Sequence, residues 1–383
     1  MRKKIIVYTG SRADYGLLKN IIINLKSFFD VKLVAGSQHF SKKYNFTYKE
    51  IIKDGLKIDY SLKFNIKETS KNELISHISL SLKKLNLYFN KERPDIVILL
   101  GDRYEVYAAA LSCYLNNFQI AHIHGGELTY GSFDDGLRHS ITKFANLHFV
   151  SHENYKKRVM QMGENPKFIY NFGAPGAENA INYLKAYKKN TLIKHLNITD
   201  KKKVLVTYHP ETKNSSEDAN CILNIFRLIK KKKNFFFIFT NSNSDPGGLK
   251  MLKLIKSFCR KNRNCIHFGS LGHKKYLQLM SDVDLVLGNS SSGIIEASAL
   301  KILALNIGDR QSGRLHSNNI INCKKDYKSL LRGFDKFPHI EKNRIKRIFY
   351  KKNTSKNISH SIGQYLFSVK KNKLKKFYDI KKK

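Results

Sequence analysis

Short apolar segments alternate with longer amphipathic ones along most of this chain, and this pattern limits its fold more than any other property. Residues 94–101 read Pro-Asp-Ile-Val-Ile-Leu-Leu-Gly, which is typical of a strand buried on both faces of a sheet. Further strand patterns lie at 4–9, 31–35, 119–124 and 167–172, with helical patterns at about 15–29, 41–55 and 71–90. This alternation predicts βαβ units arranged around a parallel sheet.

A second series of the same kind follows Gly173-Ala-Pro-Gly176, where two glycines around a proline suit a hinge. Its strand patterns lie at 204–208, 235–239, 265–268, 283–288 and 302–307, and helical, lysine-rich sequence follows from about 324. A chain of 383 residues is long enough for two domains of ordinary size. We therefore predict an α/β protein of two doubly wound, Rossmann-type domains with a cleft between them.

Membrane insertion is not expected from the distribution of apolar residues. No run of 18 or more apolar residues is present, which is the length that a spanning helix needs. The apolar stretch near the N-terminus is shorter than the core of a signal peptide and lacks a small-residue cleavage site. We interpret it as the first strand of the fold.

The formal charge of +40 is of the kind found in nucleic-acid-binding proteins. The lysines, however, are scattered in short runs such as 201–203 and 230–233, and no single basic patch stands out. The chain has no tryptophan, no RNP-like aromatic motif and no zinc-finger spacing, and its five cysteines form no CxxC pair. We therefore expect no nucleic acid, no membrane partner and no metal, and we interpret the cysteines as reduced thiols of a cytoplasmic protein.

Titratable side chains cluster where two buried strands of the first half end. Gly-Asp-Arg at 101–103 follows one strand, and His-Ile-His-Gly-Gly-Glu at 122–127 ends the next; Asp-Asp at 134–135 and Arg-His at 138–139 follow. Ligands of open α/β sheets bind at the carboxyl ends of the strands, so the cluster predicts a functional site. A solvated polar loop is the alternative, although such loops rarely combine two glycines with so many titratable groups.

Turns suited to phosphate follow several other predicted strands. The turn at 288–296 offers two glycines, three hydroxyls and a helix start, with Glu296 able to hold a ribose. His209 follows another strand, the turn at 308–314 carries two arginines, and Thr-Gly-Ser-Arg-Ala-Asp-Tyr-Gly at 9–16 opens a helix. A serine N-cap with a capping acid is the alternative for the first of these turns. Together they predict a nucleoside diphosphate site, and the absence of a GxGxxG or Walker motif argues against a dinucleotide cofactor.

In their order along the chain, these motifs resemble the hydrolysing UDP-N-acetylglucosamine 2-epimerases, which supply N-acetylmannosamine for sialic acid. The resemblance runs from Lys4 to about Ile380, and the Gly-Thr-Arg-Pro-Glu start of the non-hydrolysing epimerases is lacking. It implies the two-Rossmann GT-B fold and no cofactor. The domains would be a sugar-binding, catalytic one at 1–172, a UDP-binding one at 173–358, and a helix with a basic tail at 359–383 that packs back on the first.

The resemblance also implies the reaction: elimination of UDP across C1–C2 of the sugar to a 2-acetamidoglucal, then addition of water to give the manno product. This chemistry needs a base for the C2 proton, stabilisation of the departing diphosphate, and an acid and a base for hydration. By resemblance, Asp102 and Asp134 are acid/base carboxylates, and Arg12 and Arg103 face the diphosphate. The other implied binding residues are His209, Ser290, Ser291, Arg310 and Arg314 for phosphate, Glu296 for ribose, and Asn243 near the nucleotide.

One position departs from the family pattern. Many members carry a glutamate at the third position of His-x-Glu-Gly-Gly-Glu, where this chain has His124, whereas Glu127 keeps its place. The near-neutral pKa of imidazole suits His124 to the acid/base role of that glutamate. We expect His124 to act in catalysis, with Glu127 as the alternative.

Other functions remain open at this point. Close relatives carry out the same reaction on a nucleotide-linked 2,4-diacetamido-2,4,6-trideoxyglucose of the legionaminic acid pathway, and the nucleotide is either UDP or GDP. A retaining GT-B glycosyltransferase would need an acceptor groove, and a non-catalytic nucleotide-sugar-binding protein would be expected to have lost one of the catalytic groups. Relatives commonly form dimers or tetramers, so the resemblance implies a homo-oligomer.

Overall fold

The computed structural model describes residues 2–42, 46–64, 71–130, 132–186, 193, 200–210, 215–241, 248–269, 271–368 and 375–380. The chain divides into two units according to its internal contacts. The first unit comprises Met1–Glu127, Asp134–Glu178 and Lys351–Lys383, and the second comprises Leu128–Phe133 and Asn179–Tyr350. Each unit is built around a parallel sheet, as the alternating sequence pattern predicts.

The sheet of the first unit has seven strands among the described residues, in the order β3-β2-β1-β4-β5-β6-β7. Its strands are β1 (Lys4–Thr9), β2 (Asp30–Ala35), β3 (Tyr60–Ser61), β4 (Ile96–Leu100), β5 (Ile120–Ile123), β6 (Leu147–Val150) and β7 (Ile169–Asn171). The helices on the way to β7 are α1 (Arg12–Lys26), α2 (Tyr48–Lys53), α3 (Lys71–Glu92), α4 (Tyr104–Leu115), α5 (Asp134–Phe144) and α6 (Glu153–Gln161). The strand order reverses between β1 and β4, the point at which ligands bind in doubly wound sheets.

Strand β4 is buried on both faces, as its uninterrupted apolar sequence predicts. Ile96 and Ile98 join one hydrophobic cluster of buried residues, whereas Val97 and Leu99 join another. Because successive side chains of a strand point to opposite faces, the two clusters lie on the two sides of the sheet. The residues that follow β4 are therefore held at the edge of a rigid layer.

The sheet of the second unit has six strands among the described residues, in the order β10-β9-β8-β11-β12-β13. They are β8 (Lys202–Thr207), β9 (Phe235–Phe239), β10 (Cys265–His267), β11 (Leu285–Gly288), β12 (Leu303–Ile307) and β13 (Ile320–Cys323). The remaining helices of the chain are α7 (Pro175–Lys185), α8 (Ser215–Lys231), α9 (Gly248–Lys261), α10 (Gly272–Asp282), α11 (Glu296–Ala299), α12 (Tyr327–Lys336) and α13 (Thr354–Ser368). Here the strand order reverses between β8 and β11, so this sheet repeats the doubly wound arrangement of the first.

Several elements differ from those predicted. Of the helix expected at about 41–55, the described residues show α2 (Tyr48–Lys53), and a 3₁₀ turn lies earlier at Ser37–Phe40. Strands β6 and β13 were not predicted, since β6 is only four residues long and β13 is only partly buried. Pro175 and Gly176, expected in a hinge, begin α7 instead. Proline is well tolerated at the first position of a helix, which explains this difference.

The chain changes unit at places other than the predicted domain limits at 172 and 358. It passes to the second unit for the six residues Leu128–Phe133, crosses again after Glu178, and returns at Lys351. After this return, Ile358 and Ile362 of α13 pack in the same hydrophobic cluster as Ile5 of β1. Within the described part of the chain, no helix has both the length and the apolar character needed to cross a bilayer.

Candidate active site

Arg138 connects the predicted catalytic residues of the first unit. It lies on α5 with 1% of its side chain exposed, and its Nη2 donates to the Asp102 carboxylate just after β4. Its Nη1 donates to Asp135 Oδ1 at 3.2 Å and to the Glu127 carbonyl oxygen at 2.8 Å. Burial opposes the charge of Arg138, but the neighbouring Asp102 and Glu127 outweigh it and raise the pKa of the guanidinium. A buried arginine with several acceptors therefore fixes a strand end, a loop and a helix relative to one another.

His124 and Glu127 form a hydrogen-bonded pair beside this arginine. Nδ1 of His124 donates to Glu127 Oε1 at 2.6 Å, and Ser151 Oγ donates to the same oxygen at 3.0 Å. Both residues are buried, and His124 has a left-handed backbone with φ 69° immediately after β5. Such a conformation is costly for a residue other than glycine and is found disproportionately at functional sites. With Nδ1 as the donor, the lone pair of a neutral ring lies on Nε2.

His122, the first histidine of the motif, has a different environment. It is fully buried, its Nε2 donates to the Gly101 carbonyl oxygen at 2.8 Å, and its Nδ1 lies 3.2 Å from Thr142 Oγ1 of α5. Burial lowers the pKa of His122 to about 3. The ring is therefore neutral at physiological pH, and it supports the backbone just before Asp102.

Arg103 is paired within the first unit. Its Nε donates to Glu105 Oε2 at 3.2 Å and its Nη2 donates to Glu105 Oε1 at 3.4 Å. Glu105 is buried and also accepts a hydrogen bond from Gln38 Nε2 at 3.2 Å. The orientation of Arg103 is therefore set by a carboxylate that neutralises part of its charge.

Arg12 and Asp14 lie in the first turn of α1, next to the strand-order reversal at β1 and β4. Ser11 caps this helix, because its Oγ accepts a hydrogen bond from the Asp14 backbone nitrogen at 3.4 Å. Burial raises the pKa of the Asp14 carboxyl to about 6, although the nearby Arg103 acts in the opposite direction. Asp14 was not among the predicted site residues.

Asn289 organises the predicted phosphate site of the second unit. It is fully buried, and its Oδ1 accepts from the His209 backbone nitrogen at 2.7 Å while its Nδ2 donates to the His209 carbonyl oxygen at 2.8 Å. Its own carbonyl oxygen accepts from Arg310 Nη1 at 3.2 Å and from Gln311 Nε2 at 3.0 Å. One asparagine therefore joins the ends of β8, β11 and β12. Burial and the positive charge of Arg310 hold the pKa of His209 well below its usual range, so His209 offers a neutral imidazole.

The serine turn after β11 depends on a close approach of two strands. At Gly288 φ is 143°, and an added Cβ would lie 1.9 Å from the Thr207 carbonyl oxygen of β8. Ser290 then caps the 3₁₀ turn Ser291–Gly293, and its Oγ accepts from Ser292 Oγ at 3.0 Å. Glu296 is buried at the start of α11, and Thr207, Gly288 and Ser290 line a small pocket beside the turn. Arg314 ends the turn after β12, whereas Asn243 lies outside the described residues.

The sequence model described as UDP-N-acetylglucosamine 2-epimerase matches residues 23–363 of this chain. The chain belongs to the UDP-N-acetylglucosamine 2-epimerase family.

Curated members of the family cover most of the chain. A Campylobacter jejuni protein named GDP/UDP-N,N'-diacetylbacillosamine 2-epimerase (hydrolyzing) is 38% identical over 84% of this chain and 85% of its own length. The polysialic acid biosynthesis protein P7 of Escherichia coli is 33% identical over 99% of this chain and 98% of its own length. A UDP-N,N'-diacetylbacillosamine 2-epimerase (hydrolyzing) of Legionella pneumophila is 32% identical over 87% and 88% of the two chains.

Solved structures of the family share the fold. The UDP-GlcNAc 2-epimerase of Neisseria meningitidis bound to UDP-GlcNAc superposes with a TM-score of 0.81 at 19% identity, covering 94% of this chain and all of that one. The Methanocaldococcus jannaschii UDP-GlcNAc 2-epimerase in complex with UDP-GlcNAc and UDP gives a TM-score of 0.81 at 20% identity, covering 94% and 99%. The predicted GT-B-like class, with two Rossmann-type halves, is confirmed.

Within this family fold, sequence reasoning missed residues that organise the site. Arg138 was noted only as part of the charged cluster, although its spacing of three residues from Asp135, to which it donates on the same helix, was a usable signal. Asn289 gave no such signal, because its partners His209 and Arg310 are brought to it by the tertiary fold. Glu105 lies two residues from its partner Arg103, but its contact with Gln38 depends on the fold. Among the described residues, no group of three or more histidine, cysteine or acidic side chains is arranged to hold a metal ion.

Proposed function

We propose that this protein is a hydrolysing 2-epimerase that converts UDP-N-acetylglucosamine to N-acetylmannosamine and UDP. The observation that carries the proposal is the His124–Glu127 pair, joined through Arg138 to the carboxylate of Asp102. Asp134 begins the helix that carries Arg138. Several proton-transfer groups are thus held on one rigid frame, which is more than transfer of an intact sugar requires.

The reaction breaks two bonds in its first step. The C2–H bond gives up its proton to a base, the C1–O bond breaks as UDP leaves with the electron pair, and a C1–C2 double bond forms. In the second step a proton adds to C2 and hydroxide from water adds to C1. Because C2 changes configuration, the proton must leave from one face of the ring and return to the other. Two acid/base groups on opposite sides of the sugar meet this requirement.

The first of these groups is His124. Glu127 fixes the orientation of its ring through Nδ1, which leaves Nε2 to accept or donate a proton. The second group is a carboxylate, either Asp102, which Arg138 holds in place, or Asp134 at the start of α5. Buried arginine and histidine side chains fix these positions before the substrate binds, which lowers the entropic cost of reaching the transition state.

The second unit supplies the nucleotide site in this proposal. His209, Ser290, Ser291, Arg310 and Arg314 bind the diphosphate, Glu296 binds the ribose, and Asn243 lies near the nucleotide. The Asn289 contacts to His209 and Arg310 support this assignment, because they bring a neutral donor and a cation to neighbouring strand ends. Arg12 and Arg103 complete the neutralisation of the leaving group from the first unit.

The same reaction on a nucleotide-linked 2,4-diacetamido-2,4,6-trideoxyglucose is the second candidate. It is favoured by the 38% identity to the Campylobacter protein, which is named for N,N'-diacetylbacillosamine with either GDP or UDP. N-acetylglucosamine as the sugar is favoured by the match to the E. coli polysialic acid protein over 99% of this chain, since N-acetylmannosamine is the precursor of sialic acid.

The test is incubation of the purified protein with each nucleotide sugar in ²H₂O, followed by NMR of the products. We expect free N-acetylmannosamine with deuterium at C2, together with UDP. A parallel reaction in H₂¹⁸O should give UDP without ¹⁸O, because the C1–O bond is the one that breaks. UDP-N-acetylmannosamine as the product would contradict hydrolysis, and a requirement for an acceptor would indicate a transferase.

We further propose that the enzyme is cytoplasmic and works as a homo-oligomer, a dimer or a tetramer. Light scattering coupled to gel filtration measures the assembly directly. A monomer at assay concentrations that retains full turnover would contradict this part of the proposal.

A further inference from the structure

The catalytic helix α5 is held at its C-terminal end by a short segment from the end of the chain. Lys375 Nζ donates to the Lys143 carbonyl oxygen at 2.5 Å and to the Ala145 carbonyl oxygen at 2.7 Å. The last carbonyl groups of a helix lack partners within the helix, and a cation there also interacts favourably with the helix dipole. Lys375 therefore caps the helix whose first residue is Asp134.

The same lysine is fixed by a buried carboxylate. Glu164 has 2% of its side chain exposed, and it accepts from Lys375 at 2.7 Å, from Lys143 at 2.7 Å and from His148 Nε2 at 2.9 Å. Burial of Glu164 opposes its ionisation, but these three partners outweigh that effect and lower its pKa to about 2. Lys143 belongs to the last turn of α5, so one carboxylate joins the helix, the neighbouring strand and the C-terminal segment.

Residues beyond Lys375 extend the contact. The Tyr378 backbone nitrogen donates to the Gly163 carbonyl oxygen at 2.9 Å, and the Phe377 ring lies where a side chain at Gly163 would be. Lys143 Nζ lies 5.0 Å from the centre of the Phe377 ring, a cation–π distance. The described segment 375–380 thus makes ionic, backbone and aromatic contacts with the rest of the first unit.

We propose that residues 375–380 form a strap that positions α5 for catalysis, with Lys375 as the positioning residue. The proposal rests on the proposed function, in which Asp134 and Arg138 of α5 serve the acid/base cluster. The contacts of Lys375 and Phe377 lie at the opposite end of α5, around Lys143. The strap acts by holding the far end of a helix of eleven residues, so that the carboxylates at its start keep their place.

Lys375→Met tests this directly. We expect kcat to fall about tenfold with KM within about twofold, because a misplaced catalytic group affects the transition state more than ground-state binding. Lys375→Arg should recover most of kcat, since a guanidinium can reach the same acceptors. The matched control is Lys376→Met, whose side chain belongs to an exposed residue next in the chain.

Hydrogen exchange supplies a readout that does not depend on the reaction. In Lys375→Met the amides of α5 should exchange about tenfold faster than in the parent protein, while those of α1 are unchanged. If the parent protein turns over no nucleotide sugar, the proposed function fails, but the exchange result still tests the strap. Phe377→Ala is a second variant, with the ion pair intact and a largely exposed ring removed, and should give a smaller change in the same direction. Parental kcat and α5 exchange in both variants would overturn the proposal.

Discussion

The guanidinium of Arg138 reaches the carboxylate of Asp102 from a helix 36 positions further along the chain. The arginine has 1% of its side chain exposed, and the aspartate has 23%. The buried partner therefore fixes the position of the more exposed one. In the proposed mechanism, Arg138 holds the Asp102 carboxylate in place beside the sugar, and the partial exposure of Asp102 leaves that carboxylate accessible to the substrate.

Replacement of this arginine by lysine tests the pair. Lysine keeps the charge but cannot donate to Asp102, Asp135 and the Glu127 carbonyl oxygen with the same planar geometry. We expect Arg138→Lys to lower kcat by about 100-fold, a loss typical of a misplaced catalytic group. Steady-state kinetics measures it, with exposed Lys157→Met as the control. A decrease in kcat of less than about threefold would show that the mechanism does not depend on Arg138.

Replacement of His124 separates catalysis from nucleotide binding. His124→Ala should remove nearly all turnover, whereas UDP should bind with unchanged affinity, because His124 is not among the residues proposed to contact the nucleotide. Turnover is followed by NMR, and UDP binding by titration calorimetry. His360→Ala, at an exposed histidine, is the control. Near-normal turnover in His124→Ala would show that His124 is not the acid/base group and would favour Glu127 for that role.

Two glycines of the serine turn give a matched pair of stability variants. A Cβ at Gly288 would lie 1.9 Å from the Thr207 carbonyl oxygen, whereas one at Gly293 has no neighbour closer than 3.5 Å. Gly288→Ala should destabilise the protein by more than about 2 kcal/mol, and Gly293→Ala should change its stability by less than about 1 kcal/mol. Thermal melting followed by circular dichroism compares them. Equal melting temperatures would show that β8 and β11 separate more easily than their contact implies.

The raised pKa of the Asp14 carboxyl predicts that the stability of the protein depends on pH. Burial raises the folded pKa of Asp14 to about 6, from the 3.8 that is usual for aspartate. Its contribution to stability is therefore fully present below about pH 4 and is lost as the pH rises through 6. Asp14→Asn should therefore stabilise the protein at pH 8 relative to the parent, by at most about 3 kcal/mol, and should lose this advantage near pH 4. Melting temperatures at the two pH values measure the difference. Asp335→Asn, at a largely exposed carboxylate, serves as the control.

Much of the fold could be predicted from the sequence, because the strands of parallel sheets are short apolar runs. The strand patterns at 4–9 and 235–239 coincide with β1 and β9. The pattern at 147–150 was not predicted, because Leu-His-Phe-Val is short and contains a buried histidine whose Nε2 partner, Glu164, lies 16 residues further along the chain. Such partners lie far apart in sequence and are brought together by the fold.

The candidate site, like the fold, could be predicted from the sequence only in part. The motifs located Asp102, His124 and Glu127, and the structure brings these residues together around Arg138. Sequence reasoning treated His124 and Glu127 as alternatives, whereas they are hydrogen-bonded to each other. Their spacing of three residues is compatible with many loop conformations, so the pairing depends on the left-handed turn at His124.

The return of the chain at Lys351 has a consequence for synthesis on the ribosome. Ile358 and Ile362 of α13 belong to the same core cluster as Ile5 of β1, so the first unit needs both ends of the chain. Almost all of the second unit is contiguous and emerges before α13. The first unit is therefore the first to begin synthesis and the last to be completed. During translation its core lacks α13 and exposes apolar surface, to which chaperones can bind.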